Sequence, residues 1–213
     1  MIALILRELR LAATGGHFLL PLIFFLLVAT LFPFAVGPDR MLLARTGGGA
    51  LWMAALLAAL LPVERLVDPD RADGILDQLA LRGISEESVA IAKLAGHWLS
   101  FAPPLMLAAI PAAALMKLPG GTLARLELGL LIGTPGLAAL TLIVASLTAG
   151  LKGTGALAGL LTLPLAVPIL IFGAGLIEQG SETGAVKLLG AVSLLLVAAA
   201  PFAAGAAMRA ARS

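Results

Sequence analysis

Residues 64–93 read ERLVDPDRADGILDQLALRGISEESVAIAK, and this stretch decides how the rest of the chain is arranged. It holds 11 of the 26 Lys, Arg, Asp and Glu residues in the sequence. Each charge costs about 3 kcal/mol at the centre of a bilayer, so burying the stretch in lipid would cost on the order of 30 kcal/mol. We call residues 64–93 the charged island, and we expect it to lie in water or against another protein.

The rest of the chain is apolar enough to lie in lipid. Its 213 residues are 61% hydrophobic and 12% charged, whereas about 25% of an ordinary soluble domain is charged. A mean hydropathy of +1.08 and several apolar runs near 20 residues predict an all-α membrane protein.

The absence of cysteine excludes Cys-ligated zinc and iron–sulfur sites. A net charge of only +2 gives no support for a nucleic-acid partner.

The length allows six spans with short loops, so we predict a single transmembrane domain, 1–213, folded as a six-helix bundle. Residues 1–17 are expected to form an interfacial helix, because Arg7, Arg10, Thr14 and His17 share one helical face. The predicted spans are 18–36, 47–63, 94–116, 128–151, 153–177 and 188–208. Trp52 is expected near one membrane face, where an indole ring is favoured.

The distribution of Lys and Arg predicts the orientation of this bundle. Six spans place both termini and the charged island on one side, together with nine Lys and Arg residues: Arg7, Arg10, Arg65, Arg71, Arg82, Lys93, Lys152, Arg209 and Arg212. The other side has five, namely Arg40, Arg45, Lys117, Arg125 and Lys187. The positive-inside rule therefore predicts cytoplasmic termini and a cytoplasmic charged island.

Turn and cap residues divide the charged island. The second span is expected to end near Asp68, because Pro69 disfavours helical geometry in the residue before it. Asp73-Gly74 predicts a turn. Ser85 is a suitable N-cap for the third helix, and the two glutamates that follow it suit the first turn of a helix.

Between these turns, residues 75–81 predict two helical turns with Ile75, Leu76 and Leu79 on one face. A helix of seven residues is not stable alone, so this face needs a packing partner. Such an element is typical of what an ATP-binding-cassette (ABC) permease presents to its ATPase, and a solvated loop is the alternative. The predicted ATPase-docking residues are Glu64, Arg65, Asp68, Asp70, Asp73, Gly74, Ile75, Leu76, Gln78 and Leu79.

Residues outside the island restrict the classes of function. No Asp, Glu, Lys or Arg lies in the middle of a predicted span, which disfavours an ion-coupled transporter. No Walker A sequence occurs, so the chain is not expected to bind ATP in that way itself. Two GxxxG pairs, Gly129 with Gly133 and Gly155 with Gly159, predict close helix packing, either within the fold or in a dimer.

His97, beside Trp98, is a candidate heme ligand or proton shuttle. A histidine at the end of a span is more often an interfacial residue. We identify no catalytic residue and no metal site in the sequence.

The order of short motifs resembles the heme exporter protein B (CcmB) family. LFPFAVGP (31–38), LLAR (42–45), LWMAALLAALL (51–61), ERL (64–66), DGILDQL (73–79), AK (92–93), HW (97–98), GTP (133–135) and LPLAVPILIF (163–172) carry the resemblance. It covers nearly the whole chain and is densest over 31–98. The first 16 residues and the loops at 119–126 and 178–187 contribute little to it.

The resemblance implies an ABC-exporter-like permease that is not itself an enzyme, lies in the bacterial inner membrane and serves cytochrome c maturation. A separate cytoplasmic ATPase (CcmA-like) would bind ATP and dock on the charged island, which would act as a coupling loop with a short coupling helix. Other implied partners are a heme-handling membrane protein (CcmC-like), a small single-span subunit (CcmD-like), a heme chaperone (CcmE-like) and a second copy of this chain. Heme would be cargo rather than a resident cofactor.

Two alternatives stay open at this point. The bundle could be a non-transporting scaffold that anchors the ATPase and the heme-handling subunits in the lipid membrane. It could also be an ABC exporter of another small molecule.

Overall fold

The computed structural model describes residues 1–14, 19–37, 39–151, 154–177 and 182–212. Within these residues the chain forms ten helices: α1 (Ile2–Thr14), α2 (Leu19–Val36), α3 (Arg40–Leu60), α4 (Val63–Leu66), α5 (Asp68–Ala72), α6 (Ile75–Leu81), α7 (Glu86–Leu115), α8 (Gly120–Thr148), α9 (Thr154–Gly175) and α10 (Glu182–Ala210). Some predicted features lie outside the described residues. They are His17, position 18 at the start of the first span, Lys152, position 153 at the start of the fifth span, and positions 178–181.

Six of the described helices are long and apolar enough to cross a membrane. They include α2, α7, α8, α9 and α10, and the sixth segment begins with α3 and continues to Ala72. This confirms the predicted all-α membrane protein with six candidate spans.

The second span differs from the prediction at both ends. The predicted loop 39–46 is helical from Arg40 onward, because the Asp39 carboxylate accepts hydrogen bonds from the backbone N–H of Met41 at 2.8 Å and Leu42 at 3.3 Å. The helix ends at Leu60 rather than near Asp68. Pro62 has no N–H with which to continue the hydrogen-bond ladder, so the chain breaks there first.

Three other spans begin earlier than predicted, because polar residues extend each helix beyond its apolar part. Helix α7 begins at Glu86, where the Ser85 hydroxyl accepts a hydrogen bond from the Ser88 N–H at 3.3 Å. Helix α8 begins at Gly120 and α10 at Glu182. Hydropathy therefore marks the part of each helix that can lie in lipid and misses the turns outside it.

The centre of the bundle contains Trp52, whose exposed fraction is 0%. The indole ring, predicted to lie near a membrane face, packs inside the bundle and is not exposed to lipid, because three glycines leave room for it in the core. A Cβ atom at Gly129, Gly133 or Gly173 would lie 3.0, 2.6 or 2.5 Å from that ring. A large aromatic ring buried at such a site gives the core one well-defined packing arrangement.

The two predicted glycine pairs therefore have different surroundings. Gly129 and Gly133, both on α8, receive Trp52 of α3. Gly155 faces the Glu64 side chain, whereas a Cβ atom at Gly159 would meet nothing within 4 Å.

Side-chain contacts show which helix ends lie together. Gly150, after the end of α8, binds Asp68, and Arg209 near the end of α10 binds Glu87 at the start of α7. At the opposite end, Gly47 near the start of α3 approaches Met116, which follows α7. Successive long helices thus run up and down, and the charged island lies at one end of the bundle.

Candidate functional site

The charged island forms the short helices α4, α5 and α6 and the first turns of α7. Gly74, with φ +69°, adopts the left-handed conformation that the predicted turn before α6 requires. Helix α6 runs from Ile75 to Leu81, as predicted. Pro69 lies in the first turn of α5, where a missing N–H costs nothing.

The apolar face of α6 packs on this chain's own core. Leu76 is only 4% exposed, and Leu79 is partly buried against the same cluster. The packing partner that this face was predicted to need is therefore the chain's own core, in which Leu76 is buried. The outward side of α6 instead presents Asp77, Gln78 and Leu81, and Leu81 is 89% exposed.

Asp70, another predicted docking residue, belongs to a buried charge cluster. Its carboxylate oxygens accept hydrogen bonds from Arg7 at 2.5 and 3.0 Å and from the Lys93 ammonium at 2.5 Å. Glu8 completes the cluster, 2.7 Å from Arg7 and 3.3 Å from Lys93. The Asp70 and Lys93 side chains are 8% and 2% exposed, so Asp70 is not on the docking surface.

This cluster of Arg7, Glu8, Asp70 and Lys93 joins α1, α5 and α7, and its formal charges cancel. Hydrogen bonds to Asp70 raise the pKa of the Arg7 guanidinium, which keeps that group charged. Buried charges are tolerated only when they are paired and hydrogen-bonded. Each member of the cluster therefore lowers the free-energy cost of burying the others. We expect the cluster to fix the island against the first turns of α7.

Helix α1 approaches α7 closely at Gly96. A Cβ atom at Gly96 would collide with the Cβ atom of Glu8, so only glycine lets the two helices lie at this distance. The close approach places Glu8 beside Lys93. Helix α1 is thereby attached to the bundle on its polar side.

A second ion network joins the C-terminal helix to the island. Arg209 binds Glu87 at 2.5 Å and Glu86 at 3.3 Å. Arg212 binds Asp77 of α6 at 2.7 Å and also binds Glu86. These contacts are more open than the buried charge cluster, since the Arg209 and Asp77 side chains are 49% and 59% exposed.

The connection after α8 is also bound to the island. The Gly150 N–H donates to the Asp68 carboxylate at 2.9 Å, and Asp68 accepts from Arg71 at 3.3 Å. Gly150 has φ +83°, and a Cβ atom there would lie 2.7 Å from the Arg71 guanidinium. The island is therefore joined to α1, to the C-terminal end of α10 and to the end of α8 by specific polar contacts.

His97 is 4% exposed, one helical turn beyond Lys93. Its ring centroid lies 4.8 Å from that of Phe101. In the described part of the chain its Nε2 atom has no hydrogen-bond partner. The described residues contain no group of three or more His, Cys, Asp or Glu side chains that could hold a metal ion.

A cavity of about 350 Å³ lies beside the buried charge cluster, between α1, α7 and the helices of the island. Its walls combine the charged side chains of that cluster with Arg65 and Asp73 and with apolar side chains that include Leu11, Pro21 and Phe101. His97 also lines it.

Sequence reasoning missed the buried charge cluster, because its members are far apart in the chain. Arg7 and Asp70 are separated by 63 positions, and Asp70 and Lys93 by 23. The available signal was Lys93, which directly precedes the apolar run of the third span. A lysine there needs a carboxylate nearby.

Comparison with known proteins identifies the family of this chain. The model of the CcmB protein family matches residues 1–211. The chain belongs to the CcmB family. It is 47% identical to heme exporter protein B of Rhodobacter capsulatus over 214 residues, which cover 98% of each chain.

Other CcmB proteins are similar over most of their length. The Paracoccus denitrificans heme exporter protein B is 44% identical over 214 residues, again 98% of each chain. The Escherichia coli K12 protein of that name is 40% identical over 193 residues, or 89% of this chain and 88% of that one. The family resemblance found in the short motifs is therefore confirmed.

Proposed function

We propose that this chain is the non-catalytic membrane permease subunit of an ABC complex that exports heme for cytochrome c maturation. Its CcmB relatives are named heme exporter protein B, and six of its described helices can cross a membrane. One observation carries the coupling role: the charged island is a folded element that binds to three other parts of the bundle, α1, the C-terminal end of α10 and the end of α8. A solvated loop would not be held in this way.

The docking surface for a cytoplasmic ATPase (CcmA-like) is the outward side of the island. Glu64 and Gln78 of the predicted docking set are exposed there, and we add Leu81. Arg65 and Asp73 are also exposed, but they line the cavity beside α1. A large exposed leucine among charged residues suits a pocket on a partner protein. Asp70 and Leu76 support this surface from within.

ATP binding by the partner would move α6 as the two ATPase subunits close. The buried charge cluster would pass this movement to α1 and α7, and Arg212 would pass it to α10. Groups packed at native density transmit such displacements because they cannot be compressed. Two copies of the chain per complex would serve the two ATPase subunits.

The orientation follows from charge. Among the described residues, eight Lys and Arg side chains belong to the island side of the predicted topology and five to the other. This excess supports cytoplasmic termini and a cytoplasmic island in the bacterial inner membrane. The remaining partners would be CcmC-like, CcmD-like and CcmE-like subunits, with release of heme-loaded chaperone as the step that ATP drives.

A non-transporting scaffold is the second candidate, and Trp52 favours it. This ring fills the space between α3, α8 and α9 and is fully buried. In that version the bundle transmits force to heme-handling subunits, and heme does not pass through it.

Replacing Leu81 by Asp tests the docking surface. We expect Leu81→Asp to lower recovery of the ATPase with the purified membrane subunit at least tenfold, about the loss caused by one contact worth 1.4 kcal/mol. The matched control is Met41→Asp, which places the same charge on a 74% exposed residue in the first turn of α3, at the opposite end. Equal recovery with both variants would contradict the proposal. Leu76→Asp is unsuitable because it would place a charge in the core.

A further inference from the structure

We propose that the cavity between α1, α7 and the island binds the headgroup of a phospholipid with a primary amine, that is, phosphatidylethanolamine. The cavity lies where an interfacial helix meets the membrane spans, so a lipid is the ligand present there at the highest concentration. The 93–101 stretch of α7 lines it over about 12 Å, eight residues at 1.5 Å each. Its lining combines charged and apolar side chains, as a lipid headgroup and its glycerol region require.

The charges of the walls favour a zwitterion. Arg7, Arg65 and Lys93 face Glu8, Asp70 and Asp73, so the formal charges cancel. Four of these groups neutralise one another in the buried charge cluster. Within the described residues, Arg65 and Asp73 form no ion pair. One cation and one acid are thus left to bind one phosphate and one ammonium group.

The same walls disfavour the other common headgroups. An anionic headgroup is attracted by an excess of Lys and Arg, which this cavity does not have. A choline group carries no N–H donors and is recognised by cages of aromatic rings. Phe101 is the one aromatic side chain, apart from His97, among the described residues that line the cavity. A primary ammonium, in contrast, can donate to the Asp73 carboxylate.

His97 is the second observation that points to a ligand. Its side chain is more than nine-tenths buried, it lines the cavity, and its Nε2 atom has no partner within the described residues. A buried polar atom of this kind normally has a hydrogen-bond partner. Because Nε2 has almost no accessible surface in this structure, a small rotation of the ring on lipid binding would have to bring it to the cavity, where the water that accompanies the headgroup would be its partner.

The test uses the full chain in nanodiscs containing equal amounts of phosphatidylethanolamine, phosphatidylglycerol and phosphatidylcholine. After extraction into detergent, native mass spectrometry counts the lipids that stay bound. We expect one phosphatidylethanolamine to be retained about tenfold over the other two, and Arg65→Gln to remove this preference. The matched control is Arg82→Gln, an exposed arginine at the same end that does not line the cavity.

A second variant fills the cavity without changing a charge. Leu11→Trp, at a 44% exposed position on α1, should also release the lipid. Soluble phosphoethanolamine at millimolar concentration should not displace it. Equal retention of the three lipids, equal effects of Arg65→Gln and Arg82→Gln, or full displacement by phosphoethanolamine would each overturn the lipid assignment.

Discussion

Two ion networks attach the charged island to the bundle, and they differ in how far water reaches them. The buried charge cluster of Arg7, Glu8, Asp70 and Lys93 has a lysine side chain that is 2% exposed. In the C-terminal network, Arg209 is 49% exposed. Water and salt screen exposed charges strongly and buried ones little. We therefore expect the buried charge cluster to stabilise the fold. The C-terminal network should have little effect on stability and should mainly influence the position of the island.

Of the variants considered, Asp70→Asn is expected to lower the thermal midpoint of unfolding the most. It removes one charge at nearly constant volume and leaves Arg7 and Lys93 to share Glu8. Breaking a buried ion pair costs about 3–5 kcal/mol. The thermal midpoint in nanodiscs can be followed by intrinsic fluorescence, since Trp52 and Trp98 are the two tryptophans and the chain has no tyrosine.

Two controls separate charge burial from other effects of Asp70→Asn. Asp73→Asn, at an exposed residue outside the cluster, should leave the midpoint unchanged in nanodiscs that contain no phosphatidylethanolamine. Asp70→Asn combined with Lys93→Met restores neutrality, so the pair should cost less than the sum of the single variants. If the stability losses of the two single variants added up to that of the double variant, the cluster would not act as a unit.

Gly96→Ala should have an intermediate effect, because the added methyl group pushes α1 away and separates Glu8 from Lys93. Overpacking of this kind costs about 1–3 kcal/mol. Gly159→Ala is the matched control, since its Cβ atom meets nothing within 4 Å. Alanine there should stabilise the helix slightly. Equal midpoints for the two variants would mean that the close approach of α1 and α7 does not matter for stability.

Arg209→Gln is expected to have the smallest effect. Its side chain is 49% exposed, and an ion pair that water reaches contributes little to stability, so the thermal midpoint should hardly change. The difference from the unmodified protein should disappear when salt is raised from low to about 1 M, where the screening length falls to about 3 Å. An effect as large as that of Asp70→Asn, or one that persists in high salt, would remove the distinction between the networks.

The sequence was sufficient to predict the six candidate spans, the extent of α6 and the turn at Gly74, because local signals determine them. Apolar length, glycine and N-cap residues act over a few neighbouring positions. The burial of Trp52 was missed because the room for its ring comes from Gly129, Gly133 and Gly173, on two other helices. Such complementarity exists only after the helices pack.

The burial of Asp70 and Leu76 was not predicted, for a related reason. Single-residue hydropathy places an aspartate in water, but a neutral cluster can be buried when its opposite charges meet. The apolar face of α6 was correctly predicted to need a partner. The sequence did not show that this partner is the chain's own core, and that Leu81 lies outward instead.

The most direct test of the account is the ATPase rate of the partner cassette, measured with and without this protein in nanodiscs. Heme-loaded chaperone should be present or absent in each case. We predict stimulation that requires this subunit, responds to the chaperone and is lost with Leu81→Asp but kept with Met41→Asp. A rate that is indifferent to the subunit and to the chaperone would contradict coupling through the charged island and leave the bundle as a membrane anchor.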